Sequence, residues 1–237
     1  MGTSKAYTPP TGNLWTSAKR GVTNMIKQKA STESIGKALK KHIRASRSNS
    51  TSFSNKNKTI SSSAGRALNF ISDVQNVGLD EALDDHGLNN LVGKNFNDIF
   101  VGLVDYFTDG YGTINEIIAR DSIAELLNEY LSNEEDIEAQ LNNININKLI
   151  EDYIIKCIQK DFMNHYSEKI LSQCENINET ISIQDKIKDF IRMVVEENYF
   201  IEGLDTVNWN TQKGEEKIKE IHNKTLDIFL MWGDTLG

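Results

Sequence analysis

The chain has 237 residues, 38% of them hydrophobic, which is enough to bury a substantial core and excludes disorder throughout. The formal net charge is −8, and two prolines, 15 glycines and a steady supply of Ile, Leu and Lys argue against sheets joined by tight turns and favour helices. No eighteen-residue apolar run and no signal-peptide stretch occur, so the expected location is the cytoplasm, with no membrane partner.

The net charge conceals an asymmetry. Residues 1–66 carry thirteen Lys and Arg against one acid, Glu33, for +12, which leaves −20 on the remainder. Two regions of opposite charge face different partners or one another.

In chain order, residues 1–13 (MGTSKAYTPPTGN) contain both prolines and no periodic apolar residue, and read as an extended tail. Residues 14–44 form a basic helix pair. The first helix spans about Thr16 to Gln28 with Val22, Met25 and Ile26 on one side; the second is capped by Ser31 or Thr32 and carries Ile35, Ala38, Leu39 and Ile43. Residues 45–63 (ASRSNSTSFSNKNKTISSS) offer little to bury and are expected to be a flexible linker or long loop.

An acidic domain is expected over residues 64–237. Ala64, Leu68, Ile71 and Val74 share a stripe that stops near Gly78, and Phe96, Ile99, Phe100, Leu103, Val104 and Phe107 make the most amphipathic segment. Asp109-Gly110-Tyr111-Gly112 is a helix-to-helix turn, and Thr113 with Glu116 is a capping box, a device that Ser132 with Glu135 can repeat. Further helices are expected from about Lys148 to Ser172, Ser182 to Leu204 and Gly214 to Trp232. The predicted class is an all-α bundle of about six to eight helices with a flexible basic N-terminal arm.

No catalytic motif stands out, and the chain is read as a non-enzyme with no cofactor. Gly87 to Lys94 (GLNNLVGK) is one residue too long for a phosphate-binding loop and is followed by Asn95 rather than Ser or Thr. His42, His86, His165 and His222 are more than forty residues apart, and Cys157 and Cys174 form no CxxC, so no metal is expected. Asp84-Asp85-His86 reads as a solvated helix end. Phe96, Phe100 and Phe107 are expected in the core, and Trp209 and Trp232 are packing residues. Trp15, beside Leu14 in a polar segment, is either an anchor for a partner's pocket or a staple onto the main domain. The basic patch of Lys19, Arg20, Lys37, Lys40, Lys41 and Arg44 suits nucleic acid, through phosphate contacts along residues 19–66, or an acidic protein surface.

The opening MGTS, the segments AKRGVTNMIKQ, IGKALKKHIR and SSSAGRALNF, and above all GTINEIIARDSIAELL at 112–127 resemble the B component of the Qat bacterial anti-phage defence systems, over about the first 130 residues. The GGTIDEAIAR-like segment of that family is matched with Tyr111-Gly112 for its Gly-Gly and Asn115-Glu116 for its Asp-Glu. The resemblance implies a partner set: an ATPase, a QueC-like enzyme similar to 7-cyano-7-deazaguanine synthase, and a TatD-like nuclease. It further implies an adaptor or protein substrate that presents its N-terminal glycine, Gly2, to the synthase-like enzyme, with Thr3, Ser4, Tyr7 and Trp15 contacting the partner. The alternative function is a nucleic-acid-binding or phage-sensing module using the basic arm.

The chemistry of the tail is consistent with that role. Met1 before a tiny residue is readily trimmed, and a glycine α-amine with a pKa near ~8 is far more available as a nucleophile at neutral pH than a lysine near ~10.4. Myristoylation wants Ser or Thr at position 6, where this chain has Ala6.

Overall fold

The computed structural model describes residues 10–108, 112–132, 136–198, 207, 209 and 212–232. These residues form ten α-helices and no strand, so the all-α class holds. The count exceeds six to eight because two short helices, Leu79–Asp85 and Ile137–Asn142, join the eight longer ones. In order the elements are α1 (Asn13–Lys27), α2 (Thr32–Arg47), α3 (Ser50–Val77), α4 (Leu79–Asp85), α5 (Phe96–Phe107), α6 (Ile114–Tyr130), α7 (Ile137–Asn142), α8 (Ile146–Gln173), α9 (Ile177–Asn198) and α10 (Gln212–Trp232). A 3-10 turn, Asn89–Leu91, precedes α5.

The chain divides into two compact units. The first gathers residues 1–53, 161–194 and 226–237; the second gathers 54–160 and 195–225.

In the first unit α1 packs against α2. Ala18, Val22, Met25 and Ile26 of α1 and Ile35, Ala38, Leu39 and Ile43 of α2 are buried, which follows the i, i+3, i+4 spacing of their apolar residues. The connection is tight. Lys29 and Ala30 both adopt positive φ (50° and 52°), a conformation that disfavours residues with a Cβ. The Ala30 N–H donates to the Met25 carbonyl at 2.9 Å and Lys186 Nζ donates to the Lys29 carbonyl at 3.0 Å, so the turn is held from both sides. Ser31 then caps α2 by accepting from the Ser34 N–H. From α8, α9 and α10 the unit takes buried Phe162, Tyr166, Ile187, Phe190 and Phe229.

The expectation of a linker over residues 45–63 is corrected by helix running through most of this span. α2 continues to Arg47 and α3 begins at Ser50, three turns and more ahead of Ala64. Serine and asparagine are weak helix formers alone, but within the second unit Asn57, Ile60, Ser61 and Ala64 fall on one buried face that continues to Leu68 and Ile71. The polar members of that face have partners. Asn57 Nδ2 donates to Asn223 Oδ1 at 2.9 Å, Asn57 Oδ1 lies 3.1 Å from His222 Nδ1, and the Tyr153 hydroxyl donates to the Ile60 carbonyl at 3.1 Å. Ser61 and Thr59 hydroxyls donate back to the carbonyls of Lys58 and Asn55. Burial and these hydrogen bonds override the local propensity.

Gly78, at φ +90°, ends α3 and opens α4. In α5 the buried residues are Ile99, Leu103, Val104 and Phe107. Phe96 and Phe100 are corrected from core to half-buried; they stack on each other at 5.9 Å at the edge of the apolar face. The Thr113–Glu116 capping box of α6 is present in both directions, at 3.2 and 2.8 Å, and α6 packs against α5. Ser132's proposed partner Glu135 and residues 109–111 of the turn lie outside the described residues. The Gln75 amide donates to the carbonyls of Leu141 and Ile144 at and just beyond the end of α7.

Candidate functional site

Two polar constellations stand out, one in each unit. The first is built on α1, α2 and α8. Asp161 and His165 are spaced i, i+4, so α8 places them on one face, and α2 brings His42 to them. His42 Nε2 lies 2.9 Å from Asp161 Oδ2, and His42 Nδ1 lies 3.3 Å from the Tyr166 hydroxyl. His165 Nδ1 donates to the Asp161 carbonyl at 2.7 Å. The three side chains are 3%, 14% and 11% exposed. Trp15 covers them: its indole stacks on His165, with centroids 5.0 Å apart and planes 10° apart, and meets His42 edge-on. Phe162 and Tyr166 complete the aromatic wall around His42. One ligand atom from each of His42, Asp161 and His165 lies within 4.8 Å of the others, close enough to share a cation.

The second constellation lines a cavity of about 590 Å³ with Arg66, Asp73, His86, Tyr106, Trp209 and Glu215. His86, at the C-terminal end of α4, is not a solvated helix end: its side chain is 9% exposed. Its Nε2 lies 2.8 Å from Asp73 Oδ2 and its Nδ1 lies 2.7 Å from the Tyr106 hydroxyl. Burial raises the Tyr106 phenol; the Arg66 charge opposes that and Asp73 adds to it. Tyr106 therefore remains a protonated donor at neutral pH. Arg66 is engaged with the Tyr106 carbonyl at 3.3 Å and the Ser62 hydroxyl at 3.1 Å. The lining offers both donors and acceptors to a small polar molecule.

Residues 48–229 match the model of the family described as Qat anti-phage system associated protein QatB. The chain belongs to the QatB family. No curated protein and no solved structure matches it. The family match takes in the SSSAGRALNF and GTINEIIARDSIAELL segments and extends through α8, α9 and most of α10, well past the first 130 residues over which the resemblance was legible. Membership of the QatB family makes the chain a component of the Qat anti-phage system, whose other components are its expected partners.

The residues expected to form the site are not gathered in one place. Gly2, Thr3, Ser4 and Tyr7 lie outside the described residues. Trp15 is half-buried, stacked on His165 and edge-on to His42 within the first unit. Among the basic residues, Arg20, Lys37 and Arg44 are exposed, but Lys37 is paired with Glu33 one turn earlier. Lys19 donates to the Pro10 carbonyl at 3.2 Å, Lys41 runs its stem against Gly21, and Lys40 is buried. Both constellations escaped the sequence reading because their partners are far apart in the chain. The D-x-x-x-H spacing at 161–165 was the only local signal of the first.

Proposed function

We propose that this QatB-family protein is a non-enzymatic adaptor or protein substrate of the Qat system, and that Gly2, exposed after removal of Met1, is presented to a QueC-like partner enzyme for conjugation. The observation that carries the reading is family membership in a multi-component anti-phage system, combined with the placement of the first helix. α1 begins at Asn13, so Gly2 lies eleven residue steps ahead of it. A segment of that length reaches at most about 40 Å, sufficient to enter a deep active site from a docked domain. The reaction joins an ATP-activated deazaguanine carboxylate to the glycine α-amine, with loss of the adenylate leaving group and of the amine proton. A glycine amine is unhindered and substantially deprotonated at neutral pH.

The experiment is intact-mass measurement of the protein produced with its operon neighbours, alongside phage plating of the Gly2→Pro variant. The expected mass exceeds that of the Met1-trimmed chain, and Gly2→Pro is expected to lose protection while melting normally, because proline makes the amine secondary and crowded. An unmodified mass together with full protection by Gly2→Pro refutes the proposal.

Nucleic-acid binding by residues 19–66 is the second reading, and exposed Arg20, Lys27, Lys29, Arg44 and Lys58 favour it. Affinity that falls steeply with salt in DNA and RNA titrations would support it.

A further inference from the structure

We propose that His42, Asp161 and His165 form a binding site for a divalent transition-metal cation, with Zn²⁺ as the natural fit, that ties α2 to α8. The donor set is two imidazoles and one carboxylate, which suits zinc and its neighbours and is unsuited to magnesium or calcium, whose sites are built from oxygen. The ligand atoms lie within 4.8 Å of one another, and side-chain rotation draws them in to the roughly 3.3 Å spacing of tetrahedral ligands.

The surroundings are those that orient metal-ligating histidines. Such a histidine turns its other ring nitrogen to an oxygen, which fixes the tautomer. His42 Nδ1 faces the Tyr166 hydroxyl at 3.3 Å while Nε2 faces Asp161, so a cation between Nε2 and the carboxylate requires only that the imidazole proton sit on Nδ1. His165 Nδ1 is tied to the Asp161 carbonyl at 2.7 Å, which leaves the ring's lone pair on Nε2. The stacked Trp15 and the edge-on Phe162 keep bulk solvent from a charge that would otherwise compete poorly with hydration. Three protein ligands leave at least one coordination position for solvent.

The cluster differs in kind from a buried histidine merely hydrogen-bonded to an acid. That arrangement needs one histidine and one carboxylate, as at His86 and Asp73; here a second imidazole brings a ring nitrogen within 4.8 Å of both the same carboxylate and His42.

The test uses the full, untagged chain after dialysis against EDTA, titrated with Zn²⁺ alone and with Co²⁺ alone. The expected result is one equivalent bound, a higher melting temperature, altered tryptophan fluorescence from the ring stacked on His165, and visible Co²⁺ bands of nitrogen and oxygen coordination without a thiolate charge-transfer band. His42→Ala and His165→Ala are each expected to weaken binding by about a hundredfold or more. Tyr166→Phe, which keeps the ring packed and removes only the oxygen facing His42, is expected to weaken it by about ten- to a hundredfold, and it serves if the alanine variants do not fold. Absence of Zn²⁺ and Co²⁺ binding by the wild-type chain overturns the assignment, as does binding left undiminished by all the variants that fold.

Discussion

The Lys156 ammonium, 3% exposed, lies 2.7 Å from the Glu129 carboxylate across α8 and α6. A buried cation is tolerated only when it is paired, and Glu125 gives it a second carboxylate at 3.3 Å. Removing both acids by Glu125→Gln with Glu129→Gln leaves an uncompensated buried charge and is expected to destabilise the protein by about 3–5 kcal/mol. Lys156→Met, which removes the charge and keeps the length, is expected to be close to neutral. Urea unfolding of the two proteins checks this; a Lys156→Met variant as damaged as the double acid variant would show that the pair itself supplies net stability.

Glu125 also links stability to pH. Burial pushes its carboxyl up, but the hydrogen bond from Lys160 and the charges of Lys156 and Lys160 outweigh burial and hold it below the usual carboxylate range. A depressed folded-state pKa adds stability that is present above the unfolded value of about 4.3 and is lost as pH falls through the folded value. The melting-temperature gap between wild type and Glu125→Gln is therefore expected to be widest near neutral pH and to close in acid. A gap independent of pH would mean that the carboxylate's charge contributes nothing.

Gly36 is a packing requirement of the first unit. A Cβ at this position would lie 2.4 Å from the Trp232 ring, which is itself set edge-on to Phe190 at 4.8 Å. Gly36→Ala gains about 1 kcal/mol of helix propensity and loses about 1–3 kcal/mol to overpacking, so a net drop in stability is expected. Adding Trp232→Leu should restore part of the loss. If Gly36→Ala alone raises the melting temperature, the Trp232 ring is free to move away.

On α5, Phe107 and Val101 are expected to behave oppositely although both side chains are apolar. Phe107 is fully buried against Phe70, with centroids 5.6 Å apart, whereas Val101 is 55% exposed. Phe107→Ala is expected to cost about 3–5 kcal/mol and Val101→Ala less than about 0.5 kcal/mol. Equal losses in chemical denaturation would place the buried face of α5 elsewhere.

Much of the helical framework is legible in the sequence because its signals are local. Ser31 and the Thr113–Glu116 box mark helix starts through bonds made within one turn, and the apolar spacing of Val22, Met25 and Ile26 or of Leu103, Val104 and Phe107 reports which face is buried. The resemblance to the Qat B component was likewise carried by short segments. Two of these, at 61–70 and 112–127, lie within the span that matches the family.

Tertiary structure alone decided the fate of residues 50–63 and the make-up of the polar constellations. A Ser/Asn-rich stretch has too little apolar surface to order itself, and it becomes helix because Tyr153, His222 and Asn223, from 90 residues and more away, satisfy its buried face. His42 and Asp161 are 119 residues apart, and neither carries a local mark of the other. Helix periodicity and caps are short-range properties of the chain; which polar side chains meet is set by packing between distant helices, and no window of sequence contains that information.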